Sequence, residues 1–359
     1  MHFIIDSDSG NSIKGWLAPD NPSVTPTIII IIPGRNEIAI QANVTRAGIR
    51  DLGLHSTGLV GFDVNTKIVP DLDQIDDIEI VEAETRLPIY RRLQKGRHIE
   101  RKMFLFDCSI MPQRRILSAI EKHFTLTYSN SERNGLETTI NIISNPFNSS
   151  IFISGRSLLS RYDQYLKNKG YVRVALLREP FEELAERLLF LNFLAKEDAS
   201  SYLETYSTGV TTLIDFAREL PLNDPRGLTT AFRATSDQQR RELMSPMTKV
   251  FGCDLDEVPK RVHVSKALDN LATIDVVGTR ERYGLFKELL SGVLGVDVLG
   301  EEGPTSFRTV KGLATTLSRI GLVADLLEED LALYAYVDEA IAEGISHHGG
   351  EIRRDVASR

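Results

Sequence analysis

Hydrophobic and polar positions alternate over short stretches in the first hundred residues of the chain. Residues 2–6, 13–17 and 27–32 are short apolar runs that end in clusters of Gly, Pro, Asn, Asp or Ser. Short runs with this punctuation are typical of strands in an antiparallel sandwich. The pattern therefore predicts a small antiparallel β-sandwich domain over residues 1–98, with one helical turn at residues 46–53.

The pattern changes near residue 99. Residues 103–106, 151–154 and 172–177 are apolar runs of the kind that a strand buried on both faces of a parallel sheet requires. Each run leads through a loop into apolar residues at helical spacing. Three such strand-loop-helix units predict an α/β domain with a parallel central sheet over residues 99–349. Residues 350–359 are predicted to form a tail.

Composition narrows the class of protein. The 359 residues include 42 Lys and Arg against 50 Asp and Glu, which gives a net charge of −8. A protein that binds nucleic acid needs a basic face, so we expect no nucleic-acid partner for this acidic chain. The apolar runs are shorter than the ~20 residues of a transmembrane helix, and no secretory signal pattern is found. Two cysteines, Cys108 and Cys253, are too few for a disulfide framework or a four-thiolate zinc site. We therefore expect a reduced, cytoplasmic protein without a metal site, and the oligomeric state stays open.

Arginine occurs in each loop that follows a predicted parallel strand. Ligands of open α/β sheets collect at the carboxyl ends of the strands. Arg114 and Arg115 follow the first strand, Arg156 the second and Arg178 the third. Their guanidinium groups could form an anion site through forked hydrogen bonds to phosphate or sulfate oxygens. The alternative is that these arginines lie at solvated helix starts and pair with Glu121 or Glu182.

Three segments of the second half resemble sulfotransferases. Residues 176–184 read LLREPFEEL and are followed by an amphipathic helix, as in the element that binds the 3′-phosphate of the donor 3′-phosphoadenosine 5′-phosphosulfate (PAPS). Residues 274–290 and 331–337 resemble the late strand, helix and terminal helix of carbohydrate sulfotransferases. The segments follow the order of that family from about residue 99 to 345.

This resemblance implies a P-loop-like sulfotransferase domain of a divergent bacterial type, with PAPS as co-substrate. In such a domain Arg178 would hold the 3′-phosphate, and Arg114 and Arg115 would face the phosphosulfate. Arg156 would line the same donor site at the carboxyl ends of the strands. The partner would be a glycan or glycolipid acceptor.

The first domain resembles the small β-sandwich module that stands in front of, or between, bacterial glycan-modifying transferase domains. The matching residues lie at 15–18, 42–46, 50–52 and 61–62. The resemblance implies an accessory module without chemistry of its own, attached to a protein of glycan biosynthesis.

The chain departs from the sulfotransferase pattern at three functional positions. The first loop, residues 109–115, lacks the glycines and the lysine that would cradle and stabilise the phosphosulfate. Glu186 stands where the 3′-phosphate motif has a serine, and Arg156 stands where a histidine base is common. His123 and His263 are either substitute bases or ordinary histidines. The catalytic residues are therefore unknown from the sequence.

Two functions follow from the resemblance and its departures. The first is an enzyme that transfers sulfate from PAPS to a hydroxyl of a bacterial surface glycan or its precursor. The alternative is a catalytically degenerate sulfotransferase fold that serves as a binding or assembly component in glycan biosynthesis. A third hypothesis replaces PAPS with another anionic donor, such as a nucleotide sugar or an acyl-CoA.

Overall fold

Two four-stranded antiparallel sheets form the N-terminal part of the protein in a computed structural model, which describes residues 1–196 and 208–357. The strands are β1 (His2–Asp8), β2 (Ser12–Ala18), β3 (Thr27–Ile31), β4 (Ile38–Gln41), β5 (Val44–Thr45), β6 (Leu59–Asn65), β7 (Glu79–Glu82) and β8 (Pro88–Arg91). One sheet has the order β1-β2-β6-β5, and the other has the order β4-β3-β7-β8. Helix α1 (Ala47–Asp51) forms the predicted helical turn.

Alternating burial explains these strands. In β3, Ile28 and Ile30 are fully buried while the residues between them are partly exposed, as expected when successive side chains point to opposite faces. The predicted antiparallel strands are confirmed, and their packing as a sandwich stays a prediction. Strand β8 was not predicted, because it opens at Pro88, and proline within a sheet is confined to strand ends, edges and bulges.

A five-stranded, all-parallel sheet confirms the predicted α/β architecture. Its strands are β9 (Lys102–Phe106), β10 (Leu126–Tyr128), β11 (Ile151–Gly155), β12 (Tyr171–Leu177) and β13 (Val276–Thr279). Their order is β10-β11-β9-β12-β13. Every residue of β11 is buried, which is the reason for its continuous apolar run.

The helices follow the parallel strands and continue to the C-terminal end. They are α2 (Arg114–Glu121), α3 (Leu136–Ser144), α4 (Leu159–Asn168), α5 (Pro180–Lys196), α6 (Thr208–Arg218), α7 (Pro225–Arg233), α8 (Asp237–Leu243), α9 (Pro246–Gly252), α10 (Arg261–Leu271), α11 (Tyr283–Leu294), α12 (Val310–Leu317), α13 (Gly321–Leu326) and α14 (Glu328–Ala357). Helix α14 continues through residues 350–357, which the sequence pattern assigns to a tail. The spacing of apolar residues over 202–270 predicts mainly helices, and the first part of this stretch, residues 202–207, lies outside the described residues. Within the described part of the chain, no helix is both long enough and apolar enough to cross a membrane.

The chain divides into two compact units, each made of separate segments. The first unit contains residues 1–104, 118–154 and 164–171, and the second contains residues 105–117, 155–163 and 172–359. In the first unit the Phe3 amide of β1 donates to Oδ1 of Asn141 in α3 (3.1 Å). The independent folding of residues 1–98 and 99–349 as two domains stays a prediction.

The core of the second unit is built around α5. Leu184, Leu188 and Leu191 lie on one face of this helix and are almost completely buried. They belong to an apolar cluster that also includes residues of α6 and α12, and both helices pack against α5. This packing holds α5 firmly, and with it the charged side chains at its N-terminal end.

A buried carboxyl group joins the start of α14 to α9. Asp330 is only 1% exposed, and its two oxygens accept backbone hydrogen bonds from Met247 (3.0 Å) and Thr248 (2.7 Å). Burial raises the pKa of Asp330 to about 7, although these two hydrogen bonds act in the opposite direction. The folded protein therefore holds a proton on this carboxyl in a pH range where an unfolded chain has released it.

We expect the wild-type protein to lose stability relative to Asp330→Asn as the pH rises from about 5 to about 7. An unfolded aspartate releases its proton near pH 4, so the folded state binds more protons throughout this window. The free energy of unfolding then falls by about 1.4 kcal/mol per pH unit, or roughly 2–3 kcal/mol in total. Guanidinium chloride unfolding of both proteins at the two pH values measures this difference. Parallel pH profiles would contradict the raised pKa.

Candidate functional site

A largely apolar pocket of about 260 Å³ lies in the second unit. Its lining comes from the loop after β9 and the start of α2, from the C-terminal half of α5, and from the segment before α12: Met111, Pro112, Arg114, Phe190, Phe193, Leu194, Thr305, Ser306 and Phe307. The lining combines the aromatic rings of Phe190 and Phe193 in α5 with two residues that carry hydroxyl groups, Thr305 and Ser306. A concave, mostly apolar site with a few polar groups is typical of a small-molecule site.

The N-terminal end of α5 is positioned by a cap. Glu179 precedes the helix, and its Oε2 accepts the Glu182 backbone N–H (2.7 Å). Pro180 is the first helical residue, where its missing N–H and its fixed φ favour a helix start. The Glu179 amide also donates to Oε1 of Glu281 (3.3 Å), just beyond β13. These bonds fix the direction in which Arg178, the preceding residue, leaves β12.

Arg178 is buried in a network of acidic side chains. Its side chain is only 7% exposed, and its Nη1 lies 2.5 Å from Oε2 of Glu186. Its Nη2 lies 3.3 Å from Oε2 of Glu182 and donates to Oγ of Ser306 (3.1 Å). Burial alone would lower the pKa of Arg178, but the two carboxylates outweigh it and raise the pKa above its ordinary value. Arg178 is therefore charged and already partnered.

Glu186 receives a second arginine. Nη1 of Arg280 donates to the same oxygen, Oε2, at 2.8 Å, and the Glu186 side chain is only 2% exposed. The other oxygen of Glu186, Oε1, is buried and has no hydrogen-bond partner among the described residues. One buried carboxylate thus bridges two guanidinium groups, at the position where the sulfotransferase motif has a serine.

The other predicted arginines differ in exposure and surroundings. Arg115 is exposed at the start of α2, as the solvated-helix alternative expects, but it pairs with Glu302 (Nε to Oε2, 2.7 Å), which lies 187 positions further along the chain. Arg114 is exposed at the start of α2 and lines the pocket, and Arg156 is half-buried after β11. Arg114 thus lines the pocket, and Arg178 is linked to it through the bond to Ser306.

Three residues of this arrangement were not predicted to belong to a site. Arg280 lies within the sequence segment that resembles the late strand of sulfotransferases, but that resemblance assigns it no role. Ser306 lies in a segment with no motif. Gln113 holds that segment in place, because its amide accepts the Thr305 N–H (2.9 Å) and donates to the Thr305 carbonyl (3.3 Å).

The Cys108 thiol and the two histidines considered as bases have separate surroundings. Cys108 is buried after β9, and burial raises the pKa of its thiol well above its ordinary value, which suits an inert thiol. His263 lies in α10, where it contacts Glu257 and the Lys260 amide. His123 follows α2 in the first unit, and its carbonyl accepts the Ile99 N–H (2.8 Å).

Comparison with known proteins leaves the family open. No protein-family profile matches the chain, and no curated protein is significantly similar to it. The sulfotransferase resemblance therefore rests on the motif residues, and the functional argument rests on the geometry around Arg178, Glu186 and Arg280.

Proposed function

We propose that this chain is a sulfotransferase-like protein that serves as a binding or assembly component in the biosynthesis of a bacterial surface glycan. The observation that carries the proposal is the Glu186 carboxylate, which lies between Arg178 and Arg280. In the family that the sequence resembles, this is the place of the donor's 3′-phosphate. The protein's own carboxylate takes the place of that anion.

Electrostatics explains why a second anion is disfavoured. A phosphate that approached Arg178 would meet the negative charges of Glu182 and Glu186 within the same shell of hydrogen bonds. Displacing Glu186 would break its two buried ion pairs and leave its charge unpaired, which typically costs about 3–5 kcal/mol. The glycine-free and lysine-free loop at residues 109–115 gives no compensating cradle for the phosphosulfate.

The second candidate function is enzymatic: the transfer of sulfate from PAPS to a glycan hydroxyl. The pocket favours it, since a ligand bound there would touch Ser306, the hydrogen-bond partner of Arg178. In that case Arg114 would supply positive charge at the pocket, and a base still to be identified would accept the proton of the hydroxyl.

The proposal extends to architecture and location. The order of the parallel strands and the helices that follow them supports a P-loop-like domain. The two antiparallel sheets support a sandwich module of the kind attached to bacterial glycan-modifying transferases. The proposed compartment is the cytoplasm, where glycan precursors are assembled.

A thermal-shift screen tests the proposed function. The ligands are PAPS, adenosine 3′,5′-bisphosphate, CoA, nucleotide sugars and oligosaccharides from bacterial surface glycans. We expect a rise in melting temperature with an oligosaccharide and none with millimolar PAPS or adenosine 3′,5′-bisphosphate. A clear rise with both adenosine compounds would overturn the binding-component proposal in favour of the transferase. A rise with CoA or a nucleotide sugar would assign the pocket to a different donor.

A further inference from the structure

Three side chains with metal-binding atoms meet between α9 and α10, in the second unit. They are Cys253, directly after α9, Glu257 in the connecting loop, and His263 in the first turn of α10. The cysteine sulfur, a glutamate oxygen and a histidine nitrogen all lie within 4.8 Å of one another. Thiolate, carboxylate and imidazole are the three ligand types that zinc takes in proteins.

We propose that Cys253, Glu257 and His263 form a binding site for one divalent cation of the zinc class. Oε2 of Glu257 lies 3.5 Å from Nε2 of His263. Two ligands at about 2.0–2.1 Å from a tetrahedral zinc ion are separated by about 3.4 Å, so this pair already has the required spacing. A thiolate and a carboxylate also balance the two positive charges of the ion.

The segment that carries the ligands is held in place without a metal. The Asp254 amide donates to Oε2 of Glu257 (2.7 Å), and Ser160 Oγ donates to the Cys253 carbonyl (3.1 Å). Gly252 permits the close approach of α9 to α10, since a Cβ atom there would lie 2.2 Å from the His263 carbonyl oxygen. Because the segment is ordered in advance, little conformational entropy is lost when an ion binds.

Binding moves two protons. A metal ion binds cysteine as the thiolate, so the ion forms its bond to sulfur by displacing the thiol proton of Cys253 into solvent. Nδ1 of His263 accepts the Lys260 N–H (3.0 Å), which places the ring proton on Nε2. Coordination through Nε2 transfers that proton to Nδ1 and releases the amide of Lys260, an exposed residue, to water.

Three protein ligands leave a fourth position of a tetrahedral ion open. Cys253 is only 1% exposed, whereas the Glu257 side chain is 44% exposed, so the open position faces solvent on the side of Glu257. A three-ligand zinc site with one open position can bind water or a further ligand. The spacing of the three residues matches no common zinc motif, which is why the sequence pattern predicts no metal site.

Titration of the metal-free full-length protein with Zn²⁺, in competition with a coloured chelator, tests this site. We expect one ion per chain, and a loss of affinity in Cys253→Ser greater than the ~10–100-fold typical of removing an outer-shell partner. Co²⁺ should give a thiolate charge-transfer band that Cys253→Ser removes and Cys108→Ser, the matched control at the other buried thiol, retains. The surface variant Glu257→Gln, which leaves the buried residues intact, should also weaken binding. Absence of one-to-one binding, or equal affinity in the wild type, Cys253→Ser and Glu257→Gln, would overturn the proposal.

Discussion

Glu186→Ser should lower the free energy of unfolding by about 3–5 kcal/mol in buffer free of phosphate and sulfate. The substitution removes one buried carboxylate that contacts two guanidinium groups. Arg178 then keeps only Glu182 as an acidic partner, and Arg280 loses its contact with Glu186. Breaking buried ion pairs by removing one partner carries a penalty of this size. Added sulfate or phosphate should restore part of the stability, because either anion can take the vacated position between the guanidinium groups. Denaturant unfolding with and without the anion measures both effects.

The exposed pair Arg115–Glu302 supplies a matched control. Both side chains are largely exposed, at 63% and 41%, so Glu302→Ser should change the stability by less than about 1 kcal/mol. A second variant, Glu186→Gln, separates charge from volume, because it keeps the volume of the side chain and removes only its charge. Equal, small effects of Glu186→Ser and Glu302→Ser would show that the buried carboxylate does not hold the two arginines together.

Arg178→Met should destabilise the protein by about 3 kcal/mol, whether or not a nucleotide is present. Methionine replaces the aliphatic part of the arginine side chain without its guanidinium group, and Glu186 keeps Arg280 as its partner, so the loss falls at the lower end of the range for a broken buried ion pair. Unfolding experiments with and without adenosine 3′,5′-bisphosphate measure it. Arg115→Met is the control and should have little effect.

The coupling between Arg178 and Glu186 separates a structural role from a ligand-binding role. In a double-mutant cycle of Arg178→Met and Glu186→Gln, we expect the double variant to lose less stability than the sum of the two single losses, because the two residues share one interaction. Additive losses, together with an Arg178→Met protein that is as stable as the wild type, would identify Arg178 as a free ligand-binding arginine.

The sequence predicts the strands and helices whose hydrophobic pattern is contained in a short stretch of the chain. The continuous apolar runs of β9, β11 and β12 predict buried parallel strands, and Glu179-Pro180 marks the start of α5. Besides β8, the elements missing from the prediction include β10 and α3. Strand β10 has only three residues, and α3 carries threonines and an asparagine among its apolar positions, so neither has a clear period.

The site depends on pairings between distant segments, which a single sequence cannot indicate. Arg178 meets Ser306 across 128 positions, and Arg280 meets Glu186 across 94. Glu186, about two helical turns beyond Arg178, stands out in the sequence as a departure from the phosphate motif of the family that the chain resembles. Its role as a partner to two arginines becomes apparent only once β13 is packed beside β12.

Calorimetric titration with adenosine 3′,5′-bisphosphate is the most direct test of the claim that the Glu186 carboxylate occupies the position of the donor's 3′-phosphate. The wild-type protein should give no binding heat at millimolar nucleotide, whereas Glu186→Ser, in which Arg178 and Arg280 no longer contact the Glu186 carboxylate, should bind it measurably. The folded state of both proteins is verified by circular dichroism before the titration. Saturable binding to the wild type that is lost in Arg178→Met would contradict the claim, because Arg178 would then hold a phosphate despite Glu186.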